Sequence, residues 1–291
     1  MTNTSLSAPF AIGEPGRAAA ETPDGPPPAV IGPSDLAISA ATLPGVRILA
    51  ASVRGVKHRA EHTVRQDAFA LAQAGGTHAI AVVCDGVGSF DRSDHAAALV
   101  SQQLALRGAA RTPWPEAFAA TNEQLAKVVA EWESMDFGAM ATTAVAVSAS
   151  RVDGWWLGEV AWVGDSTLWH LDDEGAWGSV TSAGDQEDGQ PFHSSSVRPM
   201  PTPDGACCCD SFRIEGGALF AMSDGVGNPL AWSLEVQATL AQWWARPPDP
   251  LTFAAQVAFA RRSHIDDRTV IGIWADECEG TCGSTVPASA P

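Results

Sequence analysis

Long apolar runs are missing from this chain of 291 residues. None approaches the roughly 20 uninterrupted apolar residues that span a bilayer, which excludes a transmembrane helix as a sequence expectation. The start Met1-Thr2-Asn3-Thr4-Ser5 lacks a basic region followed by an apolar block, so no secretory signal is read and a cytoplasmic location is expected. Basic residues are also scarce, 17 Lys and Arg against 34 Asp and Glu, for a formal net charge of −17. A protein that grips a phosphate backbone presents clustered Lys and Arg, so nucleic acid is excluded as a partner. Cysteine is too sparse for a disulfide scaffold, with six in the whole chain. Cys207-Cys208-Cys209 lacks the spacing of a metal-binding hairpin and reads as reduced thiols. Cys278 and Cys282 sit in a Gly/Ser/Pro tail and read as part of that tail.

What is present is a core. Hydrophobic residues make up 45% of the chain and charged residues 18%, enough to bury one large domain with tails. Residues 1–45, rich in Pro, Gly, Ala and Ser around Pro26-Pro27-Pro28, read as a disordered leader. The domain is expected over 46–275 and a flexible tail over 276–291. Strands are expected at 48–53, 68–72, 79–84, 142–148, 155–163, 167–171, 218–222 and 269–274. Helices are expected at 94–106, 115–132, 233–245 and 249–262, the last capped by Asp249 with Pro250 at its first position. A polar stretch over 172–210 without periodicity reads as a long functional loop. Strands adjacent in sequence imply hairpins and antiparallel sheet, with a turn at Asp153-Gly154 and another at Gly164-Asp165. The class is α+β. Two antiparallel sheets packed face to face between helical pairs fit the counts, as do other α+β arrangements.

Aspartates recur where apolar runs end. Asp67 follows Arg65-Gln66, Asp85 follows Val83-Cys84 and precedes Gly86, Asp165 follows Val163-Gly164, Asp224 lies between Ser223 and Gly225, and Asp266 pairs with Asp267. Taken singly, an Asp-Gly is an ordinary turn. Several carboxylates gathered at one sheet edge would repel strongly unless a cation held them.

In order, Cys84-Asp85-Gly86-Val87-Gly88-Ser89, Val163-Gly164-Asp165-Ser166, Met222-Ser223-Asp224-Gly225-Val226 and Asp266-Asp267-Arg268-Thr269 resemble the signature blocks of the type 2C metal-dependent protein serine/threonine phosphatases. The likeness runs from about Ser52 to Trp274. It implies a four-layer α-β-β-α sandwich with a binuclear Mg²⁺ or Mn²⁺ site at one end. By the resemblance, Asp85 bridges the two metals, the Gly86 carbonyl joins one, and Asp224 and Asp266 hold the other. Asp67 lies beside the reacting water, and Asp165 matches a residue that helps bind a third, weaker ion in bacterial relatives. The implied reaction is hydrolysis of phosphoserine or phosphothreonine in a protein, by a monomer acting on the product of a Ser/Thr kinase. Two cations about 4 Å apart supply a nucleophile at neutral pH and offset developing charge.

The chain departs from the pattern in two places. Relatives commonly carry Asn-Glu-Asp where this chain reads Arg65-Gln66-Asp67, so a carboxylate becomes a neutral amide. Many carry a phosphate-gripping arginine where His62 stands here. A Gly-x-x-His at Gly55 to His58 is similar to a bacterial subgroup, and the phosphate contact is expected from His58 or His62, with Arg59 and Arg65 as alternatives. Two other readings stay open, an inactive member that binds phosphoprotein and a phosphatase of small metabolites. The 172–210 loop falls where the family carries a variable flap, and its acids would disfavour highly acidic phosphopeptides.

Overall fold

A computed structural model describes residues 10–14, 35–88, 90, 92–135, 139–181 and 198–276. One sheet contains, in spatial order, β1 (Leu36–Leu43), β2 (Val46–Val53), β11 (Arg268–Ala275), β10 (Ala218–Met222), β7 (Thr167–Leu171) and β8 (Trp177–Ser179). The other has the order β3 (Ala68–Ala74), β4 (His78–Cys84), β5 (Ala144–Val152), β6 (Trp155–Val163) and β9 (Cys208–Glu215). Every pairing is antiparallel.

The facing surfaces of the two sheets meet through Ile48, Val83, Val145, Val147, Trp156, Val160, Leu168, Leu219, Ile271 and Ile273, all buried. Helices α2 (Ser93–Ala109) and α3 (Trp114–Ser134) cover the five-stranded sheet through Ala97, Val100, Leu104, Trp114, Phe118 and Leu125. Helices α4 (Asp224–Trp232), α5 (Leu234–Trp244) and α6 (Pro250–Val257) cover the six-stranded sheet through Val226, Leu230, Val236, Leu240, Trp244 and Phe253. The short α1 (Val56–Ala60) follows β2. These layers are the expected four-layer α-β-β-α arrangement. Strands β4 and β10 are apolar almost throughout because both of their faces are covered.

Four expectations need correction. The leader is not featureless up to residue 45, because β1 pairs along its whole length with β2 through a two-residue turn at Pro44-Gly45. Gly45 takes φ 73°, the left-handed geometry that glycine meets at no steric cost. Within the same stretch Ile12 is fully buried, and Ala11 bridges Ala260. The 172–210 loop carries β8 and the start of β9, while its residues 182–197 lie outside the described residues. The last helix stops at Val257 rather than 262, because the chain turns there to meet residues 10–14, with Ile12 N–H donating to the Ala260 carbonyl at 3.1 Å. Finally, Gly164-Asp165 does not close a hairpin, because β6 and β7 belong to different sheets and the pair crosses between them. Asp153-Gly154 does close one, with φ 49° and 83°, the values of a primed turn. The tail beyond Asp276, with Cys278 and Cys282, and the leader's remaining residues lie outside the described residues. No helix among the described residues is long and apolar enough to cross a membrane.

Candidate functional site

Strand register decides which chain ends meet. Ala68 pairs with Cys84, so Asp67, just before β3, and Asp85, just after β4, leave the same edge of the five-stranded sheet. Ala144 pairs with Val163, which brings Thr143 and the Gly164-Asp165 crossing to that edge. In the facing sheet, Met222 pairs with both Val270 and Thr167, and Arg268 pairs with Val53. Asp224, Asp266, Asp267 and Gly55 therefore leave at the corresponding edge.

Hydroxyls and amides fix the backbone around the acids. Ser223 Oγ donates to Asp67 Oδ2 at 2.8 Å and accepts from the Thr269 N–H at 3.0 Å. Ser52 Oγ and Thr269 Oγ1 lie 2.6 Å apart. The Asp85 carbonyl accepts from Thr143 N–H and from Thr142 Oγ1, each at 2.8 Å. The Thr142-Thr143 pair, which reads from sequence as plain strand, thus anchors the Asp85 turn. A side chain at Gly86 would meet the Gln66 carbonyl at 2.7 Å and Ser93 Cβ at 2.9 Å, and one at Gly225 would meet the Asp267 carbonyl at 1.9 Å. Both glycines are required by close backbone approach.

The carboxylates crowd. Burial, then the charges of Asp67 and Asp224, push Asp85 well above the usual carboxylate range. A hydrogen bond between Asp85 and Asp224 adds to this. Asp224 is raised to about 6, by burial first and then by Asp165, with Asp266 contributing less. Burial raises Asp165 as well. Asp67, fully enclosed, is pushed well above its ordinary value by burial and by Asp267, against the hydrogen bonds of Thr269 and Ser223. Asp266 is exposed. Among the described residues, no three His, Cys, Asp or Glu side chains converge as a preassembled cage. The donors are nonetheless oxygen only, and the charges of Asp67, Asp165, Asp224 and Asp266 each raise a neighbouring carboxylate. That chemistry fits a hard divalent cation, which would replace the shared protons and relieve the repulsion.

The histidines fall elsewhere than expected. His58 is not placed to grip a phosphate, since its ring is buried and its Nδ1 lies 2.9 Å from Asp267 Oδ1. The Asp267 pair and the Asp266 charge raise its pKa above the ordinary value despite the opposing effect of burial. Asp267 also accepts from the N–H groups of Gly55 and Gln66, each at 2.6 Å, so it ties together the β2–α1 junction, the approach to β3 and the start of β11. His62 is exposed at the end of α1 with φ 56°. Arg59 is exposed, whereas Arg65 is spent on the Ser52 and Asp67 carbonyls at 3.1 Å each.

Sequence reasoning passed over Lys57. A side chain at Gly88 would meet Lys57 Nζ at 3.4 Å and Gln66 Oε1 at 3.6 Å, so an ammonium stands over the turn that follows Asp85. Gln66 Oε1 is buried without a hydrogen-bond partner, on the side of this same turn. No periodicity or motif marks Lys57. The one available signal was its place in the Gly55 to His58 stretch.

The family model for protein phosphatase 2C matches residues 54–256. The chain belongs to the protein phosphatase 2C family. The match includes Asp67, Asp85, Asp165 and Asp224, and it ends before Asp266. Solved bacterial phosphatase structures superpose on the chain. The serine/threonine phosphatase of S. agalactiae does so with a TM-score of 0.59 at 18% identity, covering 83% of this chain and 100% of that one. A bacterial serine phosphatase gives 0.57 at 18% identity over 79% and 97%. The serine/threonine phosphatase Stp1 from Staphylococcus aureus gives 0.52 at 18% identity over 79% and 94%. At this identity the likeness concerns the fold. No curated protein matches the chain by sequence.

Proposed function

We propose that this phosphatase 2C member hydrolyses phosphoserine and phosphothreonine in proteins with two Mg²⁺ or Mn²⁺ ions at the carboxylate edge. The observation that carries this reading is the strand register that brings Asp67, Asp85, Asp165, Asp224 and Asp266 out at one end of the sandwich. Buried structural acids are paired with cations or amides, as Asp267 is. Carboxylates gathered at one end repel one another and are an arrangement for binding positive charge.

Asp85, the Gly86 carbonyl, Asp224 and Asp266 would hold the two ions, and Asp165 a third, weaker one. When bound, such ions lower the pKa of water and neutralise the charge that grows on phosphate. The chain's own residues do the rest. Asp67, fixed by Ser223, offers a buried acceptor toward which the attacking water's proton can be directed. Lys57 offers donors to the phosphate oxygens, the role expected of His58 or His62. Replacing Lys57 by Met removes one charge-assisted hydrogen bond, worth roughly 1.5–3 kcal/mol, and is expected to lower kcat/KM by about tenfold or more. Steady-state kinetics at saturating Mn²⁺ check this, and an unchanged constant would take Lys57 out of the site.

The test of the proposed activity is phosphate release from a phosphothreonine peptide with Mn²⁺, with Mg²⁺ and with a chelator, beside a sugar phosphate. Release that needs metal and favours the peptide is expected. Preference for the sugar phosphate would assign a metabolite phosphatase. Silence from folded protein would favour a phosphoprotein-binding member, the reading that the neutral amide of Gln66 supports.

A further inference from the structure

Cys207 and Cys209 lie outside everything described so far. They flank Cys208, the first residue of β9, and their Sγ atoms are 3.3 Å apart. Cys208 pairs in register with Trp162. Cys207 is half-buried against the helix-covered core, while Cys209 is exposed. The pair stands where the 198–207 segment enters the sheet. That segment is itself pinned by the Met200–Thr142 bridge and by Asn122, whose side chain exchanges two hydrogen bonds with the Thr202 backbone.

The spacing discriminates between the two things a thiol pair can do. A disulfide sets its sulfurs about 2.05 Å apart, whereas those of Cys207 and Cys209 are 3.3 Å apart. An ion bound at about 2.3 Å from each of two thiolates, at a tetrahedral angle, sets the sulfurs about 3.8 Å apart, within a small χ1 adjustment of the observed separation. We propose that Cys207 and Cys209 form a two-thiol chelating site for a soft divalent ion of the Zn²⁺ or Cd²⁺ class at the root of the 198–207 segment. Each thiol gives up its proton as one ion joins both sulfurs, so two protons are released per ion bound and no electron is exchanged. Burial and the neighbouring thiols hold Cys207 protonated in the metal-free protein, and burial also raises Cys209, so neither acts as a free nucleophile at neutral pH. The charges of Glu159 and Asp210 lie close enough to Cys209 to favour an approaching cation. Hard Mg²⁺ and Mn²⁺ prefer the carboxylate edge, so the two kinds of site do not compete.

The experiment titrates the reduced full-length chain with Cd²⁺ in excess Mg²⁺, following the thiolate-to-cadmium charge-transfer absorbance in the ultraviolet and proton release. Cys278 and Cys282 are replaced by Ser in every arm, so that the tail pair contributes nothing. One Cd²⁺ per chain with two protons released is expected. Cys207→Ser and Cys209→Ser should each weaken binding by about tenfold or more, and Cys208→Ser should leave it unchanged. Cys209 is exposed, so its substitution does not disturb packing and the comparison holds even where Cys207→Ser alters the core. Binding indifferent to Cys209→Ser, or lost equally in Cys208→Ser, would overturn the assignment.

Discussion

Asp85→Asn is expected to abolish metal-dependent hydrolysis while leaving a folded and, without metal, more stable protein. The two effects share one cause. Asp85 sits where the charges of Asp67, Asp224 and Asp165 converge, and an amide removes the charge that a cation needs. Even substitutions that only orient a metal ligand commonly cost 10–100-fold, so loss of a central ligand should reduce kcat/KM by at least about 100-fold. Without metal the same carboxylate is a liability. Its folded pKa lies above its unfolded value, so it favours folding only at low pH and costs stability as pH rises through the folded pKa. In chelator at pH 8, the Asn variant should therefore melt higher than the native chain, with the difference shrinking toward pH 4. Turnover within a few-fold of native, or a lower melting temperature across that range, would remove Asp85 from the centre of the site.

His58→Ala is expected to act on stability and only through it on activity. His58 Nδ1 lies 2.9 Å from Asp267 Oδ1, an ion pair when the imidazole is protonated, and each side chain is only 3% exposed. Breaking a buried pair by removing one partner costs about 3–5 kcal/mol, and the lower end applies because Asp267 keeps the Gly55 and Gln66 amides. Against the typical 5–15 kcal/mol of a domain, that is a large share. The pH dependence has a definite sign. Because His58 is raised above its ordinary 6.5 in the folded state, its contribution is complete below about pH 6.5 and lost as pH rises through the folded value. Urea unfolding at pH 6 and pH 8.5 should show the native chain losing part of its margin over the Ala variant at the higher pH. A margin that does not change between the two would mean that the pair is held neutral.

The parts of the fold that were legible from sequence were those where one physical signal dominates. The apolar runs of β4 and β10 and the Pro250 start of α6 appear at or near their expected places, because burial on both faces and a fixed φ leave few alternatives. Elements that depend on partners were missed. The strand β1 has only mixed exposure along Leu36–Leu43 and is held by β2 rather than by its own pattern. The helix α4 carries Gly225, Gly227 and Pro229, residues of poor intrinsic propensity, and forms because Val226 and Leu230 are buried beneath it. At the site, the aspartates were visible because acids that end apolar runs are unusual. The roles of His58 and Lys57 were not, because which of two adjacent side chains in a five-residue helix points inward is decided by Asp267, more than 200 positions away.

The strand β11 occupies an interior position in its sheet, between β2 from the beginning of the domain and β10. Its pairing with β2 joins Val53 to Arg268, so the ladder closes a loop of most of the chain and pays its closure entropy before any contact repays it. During synthesis β2 must wait, with one edge bare, until β11 leaves the ribosome. Asp266 and Asp267 arrive with that strand. The nascent chain therefore stays unable to assemble its acidic edge, or to seat His58, until β11 has emerged, long after β2.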